Sequence, residues 1–198
     1  MVVLGITGPT GAGKTTALNE LNKLGGAVID CDTVYHEMLE SDKTLQCMLI
    51  SEFGDITDDS GGIDRKKLGK LVFGDADRLA ALDHIVHGQI YRRVEKLIAD
   101  YRAENHYAAA AIDAIGLVES GLTRLCDATL AITAPAEVRV ARIMAREGIP
   151  EDYARSRVLA QKPDSFFFAH CDHVLVNDCA TREEFAQRSR ELLQVLLY

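Results

Sequence analysis

The stretch GITGPTGAGKTT (residues 5–16) decides the fold. Gly8, Gly13, Lys14 and Thr15 fill the pattern G-x-x-x-x-G-K-[ST], which arises by chance in a chain this long on the order of once in a hundred times. An apolar run, VVLGIT (2–7), precedes it. KTTALNELNKLGG (14–26) follows, with Ala17, Leu21 and Leu24 at helical spacing and Gly25 and Gly26 as a stop. Strand, glycine loop and helix are the context a polyphosphate cradle needs. Glycines let backbone N–H groups curl around the anion, and the helix N-terminus adds partial positive charge. Gly8, Pro9, Thr10, Gly11, Ala12, Gly13, Lys14, Thr15 and Thr16 are therefore expected to hold a nucleoside triphosphate. In that arrangement Lys14 reaches the β- and γ-phosphates and the Thr15 hydroxyl ligates magnesium.

Working outward, four more short apolar runs recur: AVIDCD (27–32), AAAAID (108–113), ATLAIT (128–133) and HVLVND (173–178). Separated by helical patterns, they predict an α/β fold with a five-stranded parallel sheet covered on both faces. Residues 33–107 lack strand patterning. Leu68, Leu71, Val72, Leu79, Leu82, Ile85, Val86 and Ile90 recur there at three- and four-residue steps, which predicts a helical insertion, with DDSGGID (58–64) as a turn. Residues 136–164 read as a helical lid broken at Gly148–Pro150. TREEFAQRSRELLQVLLY (181–198) carries capping-box spacing at Thr181 and Glu184 and reads as the closing helix. The expected organisation is one domain, 1–198, with core segments 1–32, 108–135 and 165–198, the insertion, and the lid.

A net charge of −8 argues against a general affinity for nucleic acid, so any anion site must be local. The five cysteines are scattered, with no C-x-x-C spacing, and read as reduced thiols of a cytoplasmic protein. The N-terminus lacks a basic leader, and the longest apolar run, around Asp113, is too short for a membrane span. Oligomeric state is left open, monomer included.

The loop alone does not separate transfer from hydrolysis. No N-K-x-D segment supports a GTPase switch. A small kinase needs an acidic group near the acceptor hydroxyl, an acceptor-binding subdomain and arginines over the transferring phosphoryl group. Asp30 and Asp32 lie two apart at the end of the second predicted strand, with Asp32 as the candidate base; the competing reading is a carboxylate capping the next helix. Arg139, Arg142 and Arg146 fall on one helical face, either solvent-exposed or, beside the Gly-Ile-Pro break, on a closing lid.

The chain resembles the dephospho-CoA kinases, which phosphorylate the ribose 3′-hydroxyl of dephospho-CoA with ATP. Beyond the loop, the resemblance rests on VIDCDTV (28–34), FGDITDDSGGIDRKKLGKLVF (53–73), RLAALDHIVHGQI (78–90), IDAIGLVESGLTRLCDATLAIT (112–133), RIMAREGI (142–149) and DHVLVND (172–178). It implies a P-loop kinase fold, ATP and magnesium as cofactors, and dephospho-CoA as the small-molecule partner. It implies Lys14, Asp32 and Arg142 as catalytic residues, Arg146 as a further donor contact, and Arg65, His87 and Glu119 as acceptor-binding residues. From the residues alone, His87 reads as a helix-packing histidine before it reads as a catalyst, and Glu119 as either half of an ion pair or an acceptor contact. The chain departs from the family at His87-Gly88, where His-Pro is usual, and at AIGLVES (114–120), where a proline and leucines precede Phe-Glu. Those departures keep open another hydroxyl acceptor, or a regulator that binds nucleotide without transfer. Phe166–Phe168 is also unusual and reads either as packing beneath the lid or as a stacking surface.

Overall fold

Val2–Thr7 (β1) is buried from Val3 onward and takes the centre of the sheet, as an uninterrupted apolar strand must when both its faces are covered. The computed structural model describes residues 1–197; Tyr198, the last residue of the expected closing helix, lies outside them. Strands Ala27–Asp30 (β2), Ala109–Asp113 (β3), Ala128–Thr133 (β4) and His173–Val176 (β5) join β1 in a five-stranded sheet of order β2-β3-β1-β4-β5. β1 pairs in parallel with β3 and with β4, and β4 with β5. The order reverses about β1, so the loop leaving its carboxyl end opens onto the crevice where ligands of such sheets bind.

The chain divides into two compact units, Met1–Ile29 with the chain from Ile98 onward, and Asp30–Leu97. In the first, Lys14–Lys23 (α1) and Arg182–Leu197 (α9) cover one face of the sheet, and Leu21, Phe185 and Leu193 pack against Leu4, Ile6, Leu130 and Ile132. Glu20 is buried within this packing and is bonded by Lys23 and by Arg190. Ala136–Glu147 (α6) and Glu151–Leu159 (α7) form a hairpin with its own core of Val140, Ile143, Ala154 and Val158. Gly148 caps α6 in the left-handed region, φ 66°, and Pro150 opens α7, which accounts for the predicted break. Asp164–His170 (α8) precedes β5. Of the three phenylalanines on α8, only Phe167 is buried; Phe168 is 60% exposed and Phe166 stacks on His170.

The second unit is helical, as the pattern over residues 33–107 predicts. It holds Cys31–Ser41 (α2), Lys43–Phe53 (α3), Arg65–Val72 (α4) and most of Ala76–Glu104 (α5). Each of the four starts behind an aspartate, Asp30, Asp42, Asp64 and Asp75, whose carboxylate accepts from two N–H groups of the first turn. Part of the acidic excess of the sequence is therefore spent on helix starts. Among the described residues no helix is long and apolar enough to cross a membrane.

Candidate active site

The loop between β1 and α1 has its shape set by glycine. Gly8 (φ 138°) lies so close to β4 that a Cβ there would stand 2.0 Å from the Ile132 carbonyl oxygen. Gly13 (φ 112°) is the N-cap of α1 and offers no side-chain acceptor, which leaves the first N–H groups of that helix for an anion. A Cβ on Gly13 would meet the Asn177 amide nitrogen at 2.5 Å.

Three of the loop carbonyls are held by side chains. Arg139, only 5% exposed, donates from Nε to the Thr10 carbonyl at 3.2 Å and from Nη2 to Gln161 Oε1 at 2.6 Å. Gln161 in turn accepts from the Thr10 backbone and donates to its hydroxyl. Burial lowers the Arg139 guanidinium from its ordinary pKa. Arg142 Nη1 donates to the Gly11 carbonyl at 3.1 Å and Nη2 to Asn177 Oδ1 at 3.3 Å, while Asn177 Nδ2 donates to the Ala12 carbonyl at 2.8 Å. The Ala12 N–H donates to the Pro9 carbonyl and the Thr16 N–H to the Gly13 carbonyl, so the loop is braced from within as well.

Lys14 Nζ lies 3.0 Å from Asp113 Oδ1, at the carboxyl end of β3. Together they line a cavity of about 760 Å³ with Thr15, Thr16, Arg142, Arg146, Arg157, Asn177 and Arg182. Its size suits a nucleotide. The cavity is glycine-backed and its lining is predominantly cationic.

A family model described as dephospho-CoA kinase matches residues 2–183. The chain belongs to the dephospho-CoA kinase family. It is 35% identical over 180 residues to the dephospho-CoA kinase of Dehalococcoides mccartyi, covering 90% of each chain. With that of Thermobifida fusca it shares 31% over 197 residues, 99% of this chain and 96% of the relative. In structure it matches dephospho-CoA kinase from Campylobacter jejuni with a TM-score of 0.71 at 23% identity, over 98% of this chain and 96% of that one. Shikimate kinase from Bacteroides thetaiotaomicron matches with a TM-score of 0.57 at 18% identity, over 98% of both chains. Both structural likenesses speak for the fold.

Within this family frame, the first unit brings together Gly8 through Thr16, Arg142 and Arg146. Arg139, which the helical face grouped with them, is not at the solvent but is the buried brace of the loop. Glu119 is exposed and forms only a loose ion pair with Lys162, 3.9 Å away; Lys162 also lies over the Phe166 ring. In the second unit, Arg65 opens α4 and lines a separate cavity of about 290 Å³ with His36, Leu39, Glu40, Asp58, Gly62 and Ile63. His87 is half-buried on α5 and is not among the residues of that cavity. The pairing of Asp30 with Asp32 on one strand is corrected: β2 ends at Asp30, which becomes the cap, and Asp32 sits in the first turn of α2. Capping by Asp30 leaves the Asp32 carboxylate exposed and without a bond among the described residues.

Sequence reasoning missed Asp113, Asn177, Gln161, Arg157 and Arg182. Asp113 was within reach, because it ends its strand as Asp30 ends β2. Asn177 follows β5 in the same way. Gln161, Arg157 and Arg182 carry no pattern of their own, and only folding brings them to the loop or the cavity.

Proposed function

We propose that the protein transfers the γ-phosphoryl group of ATP to the ribose 3′-hydroxyl of dephospho-CoA, giving ADP and CoA. The observation that carries this reading is the glycine loop with Lys14, lining a predominantly cationic cavity in a chain of this family. Backbone amides of the loop, those of Gly13, Lys14 and Thr15 foremost, and the Lys14 ammonium bind the β- and γ-phosphate oxygens. Arg142, already fixed against the loop, and Arg146 stabilise charge on the oxygens of the transferring group. Asp32 accepts the proton of the acceptor hydroxyl as its oxygen attacks the γ-phosphorus and the bond to the β-phosphate oxygen breaks, leaving ADP. Arg65, His87 and Glu119 bind the acceptor.

Thr15 and Asp113 present hard oxygen donors on the wall of the donor cavity, a donor set that suits magnesium. Magnesium, when bound there, neutralises charge across the β- and γ-phosphate oxygens. The Asp113 carboxylate also holds the Lys14 ammonium at the wall of that cavity by an ion pair. A cytoplasmic setting accords with five scattered cysteines that show no C-x-x-C spacing.

The purified protein with ATP, magnesium and dephospho-CoA should release ADP and CoA in equal amounts. Asp32→Asn should lower kcat by about 10²- to 10⁴-fold. Failure to form CoA above the Asp32→Asn background would overturn the proposal.

A further inference from the structure

Four arginines line the donor cavity, Arg142, Arg146, Arg157 and Arg182, with Lys14 beside them and Asp113 as the one carboxylate of the lining. That excess is local, on a chain whose net charge is −8. The arginines differ in what holds them. Arg142 is bonded to neutral groups of the loop and Asn177, so its charge is spent on none of them. Arg146 and Arg157 share one carboxylate outside the lining, that of Glu147, the last residue of α6. Arg146 Nη2 donates to Oε1 at 2.6 Å and Arg157 Nη1 donates to Oε2. The two guanidinium groups, Arg146 foremost, hold the Glu147 carboxyl below its ordinary pKa.

The same helix carries a second arginine that shows what a purely structural one looks like here. Arg155 bridges Glu137 on α6 to Glu151 on α7, both at 2.7 Å, and does not line the cavity. The hairpin thus has a staple already. Arg157, two residues on, lines the cavity instead. Two guanidinium groups converging on one carboxylate form an arrangement that phosphate oxygens also satisfy, with more charge and more acceptor sites.

We propose that Arg157 is a donor-phosphate-binding residue, and that Glu147 is the counter-ion that keeps Arg146 and Arg157 at the cavity wall until phosphate oxygens replace it. The inference rests on the reading of this cavity as the ATP site. It does not depend on which acceptor is used.

The test is calorimetric titration of ATP into the full chain and its variants, without acceptor. Arg157→Gln should weaken ATP binding about tenfold, which corresponds to about 1.4 kcal/mol. It should raise the KM for ATP in turnover and leave that for the acceptor in place. Glu147→Gln removes the same ion pair from the hairpin but keeps the cation, so it should not weaken ATP binding. ATP affinity within twofold of the parent in Arg157→Gln would overturn the proposal. Equal weakening by Arg157→Gln and Glu147→Gln would also overturn it, since Arg157 would then act only by holding the hairpin. Lys14→Ala separates the two readings: if it too leaves ATP affinity unchanged, the assignment of the cavity fails, whereas loss there with an unaffected Arg157→Gln defeats the Arg157 inference alone.

Discussion

At the scale of single residues, two positions carry consequences that their neighbours do not. Gly8 has no room for a methyl group against the Ile132 carbonyl, and its φ of 138° is strained for any other residue. Gly8→Ala should therefore cost at least about 2 kcal/mol of stability as well as donor binding, seen as a lower Tm together with a lost ATP titration. Asp113 is paired with Lys14 at 3.0 Å and lines the same cavity. Asp113→Asn should raise the magnesium concentration giving half-maximal rate by about 10- to 100-fold, measured by turnover across a magnesium series. Unchanged magnesium dependence would remove Asp113 from the metal's surroundings.

At the scale of elements, α1 and α9 meet around a buried carboxylate. Lys23 first, and Arg190 behind it, hold Glu20 below its ordinary pKa against the opposing effect of burial. A folded pKa below the unfolded value means that the contribution is complete above the unfolded carboxyl's pKa of about 4.3. It is lost as pH falls through the folded value. Glu20→Gln should cost about 1–3 kcal/mol at neutral pH. Between pH 6 and pH 3, as approximate limits, the parent's Tm should fall more steeply than the variant's. In α5, Gly88 lies inside an unbroken 29-residue helix, and a Cβ there meets nothing within 4 Å. Gly88→Ala should raise stability by about 1 kcal/mol and Tm by about 2–4 °C, measured by thermal unfolding. The departure from His-Pro at this point thus leaves open space rather than a repacked contact.

The elements also show what a sequence can and cannot disclose. The five strands were legible because a buried parallel strand leaves a dense apolar run, and the insertion because its apolar residues keep a helical period. The end of β2 was misplaced by two residues, since Asp30 is at once a plausible strand residue and a better cap. The glycine loop was legible from its spacing. Its braces were not: Arg139 is 129 residues from the carbonyl that it holds, and Asn177 is 165 from its own. Side chains that act on a distant backbone leave no local periodicity. The three phenylalanines were ambiguous for a related reason, because α8 turns only Phe167 into the core.

At the scale of the whole molecule, ligand binding and stability are linked. ATP at about a hundred times its Kd should stabilise the folded chain by about 2.7 kcal/mol. For a chain of this length that raises Tm by about 5–10 °C. Lys14→Ala should abolish the shift while leaving the unliganded protein folded; an equal shift in the variant would place the donor elsewhere. The proposed donor cavity carries a predominantly cationic lining on an acidic chain, and part of the negative surplus is used at helix starts in the second unit.

The engaged carbonyls of Thr10, Gly11 and Ala12 have one more consequence. Each is already engaged by Arg139, Arg142 or Asn177, so the peptide planes of the loop have nowhere to flip. The entropy lost in ordering those planes is therefore settled when the chain folds rather than when the nucleotide arrives. A ligand taken up by the loop would meet a backbone already set at those three carbonyls.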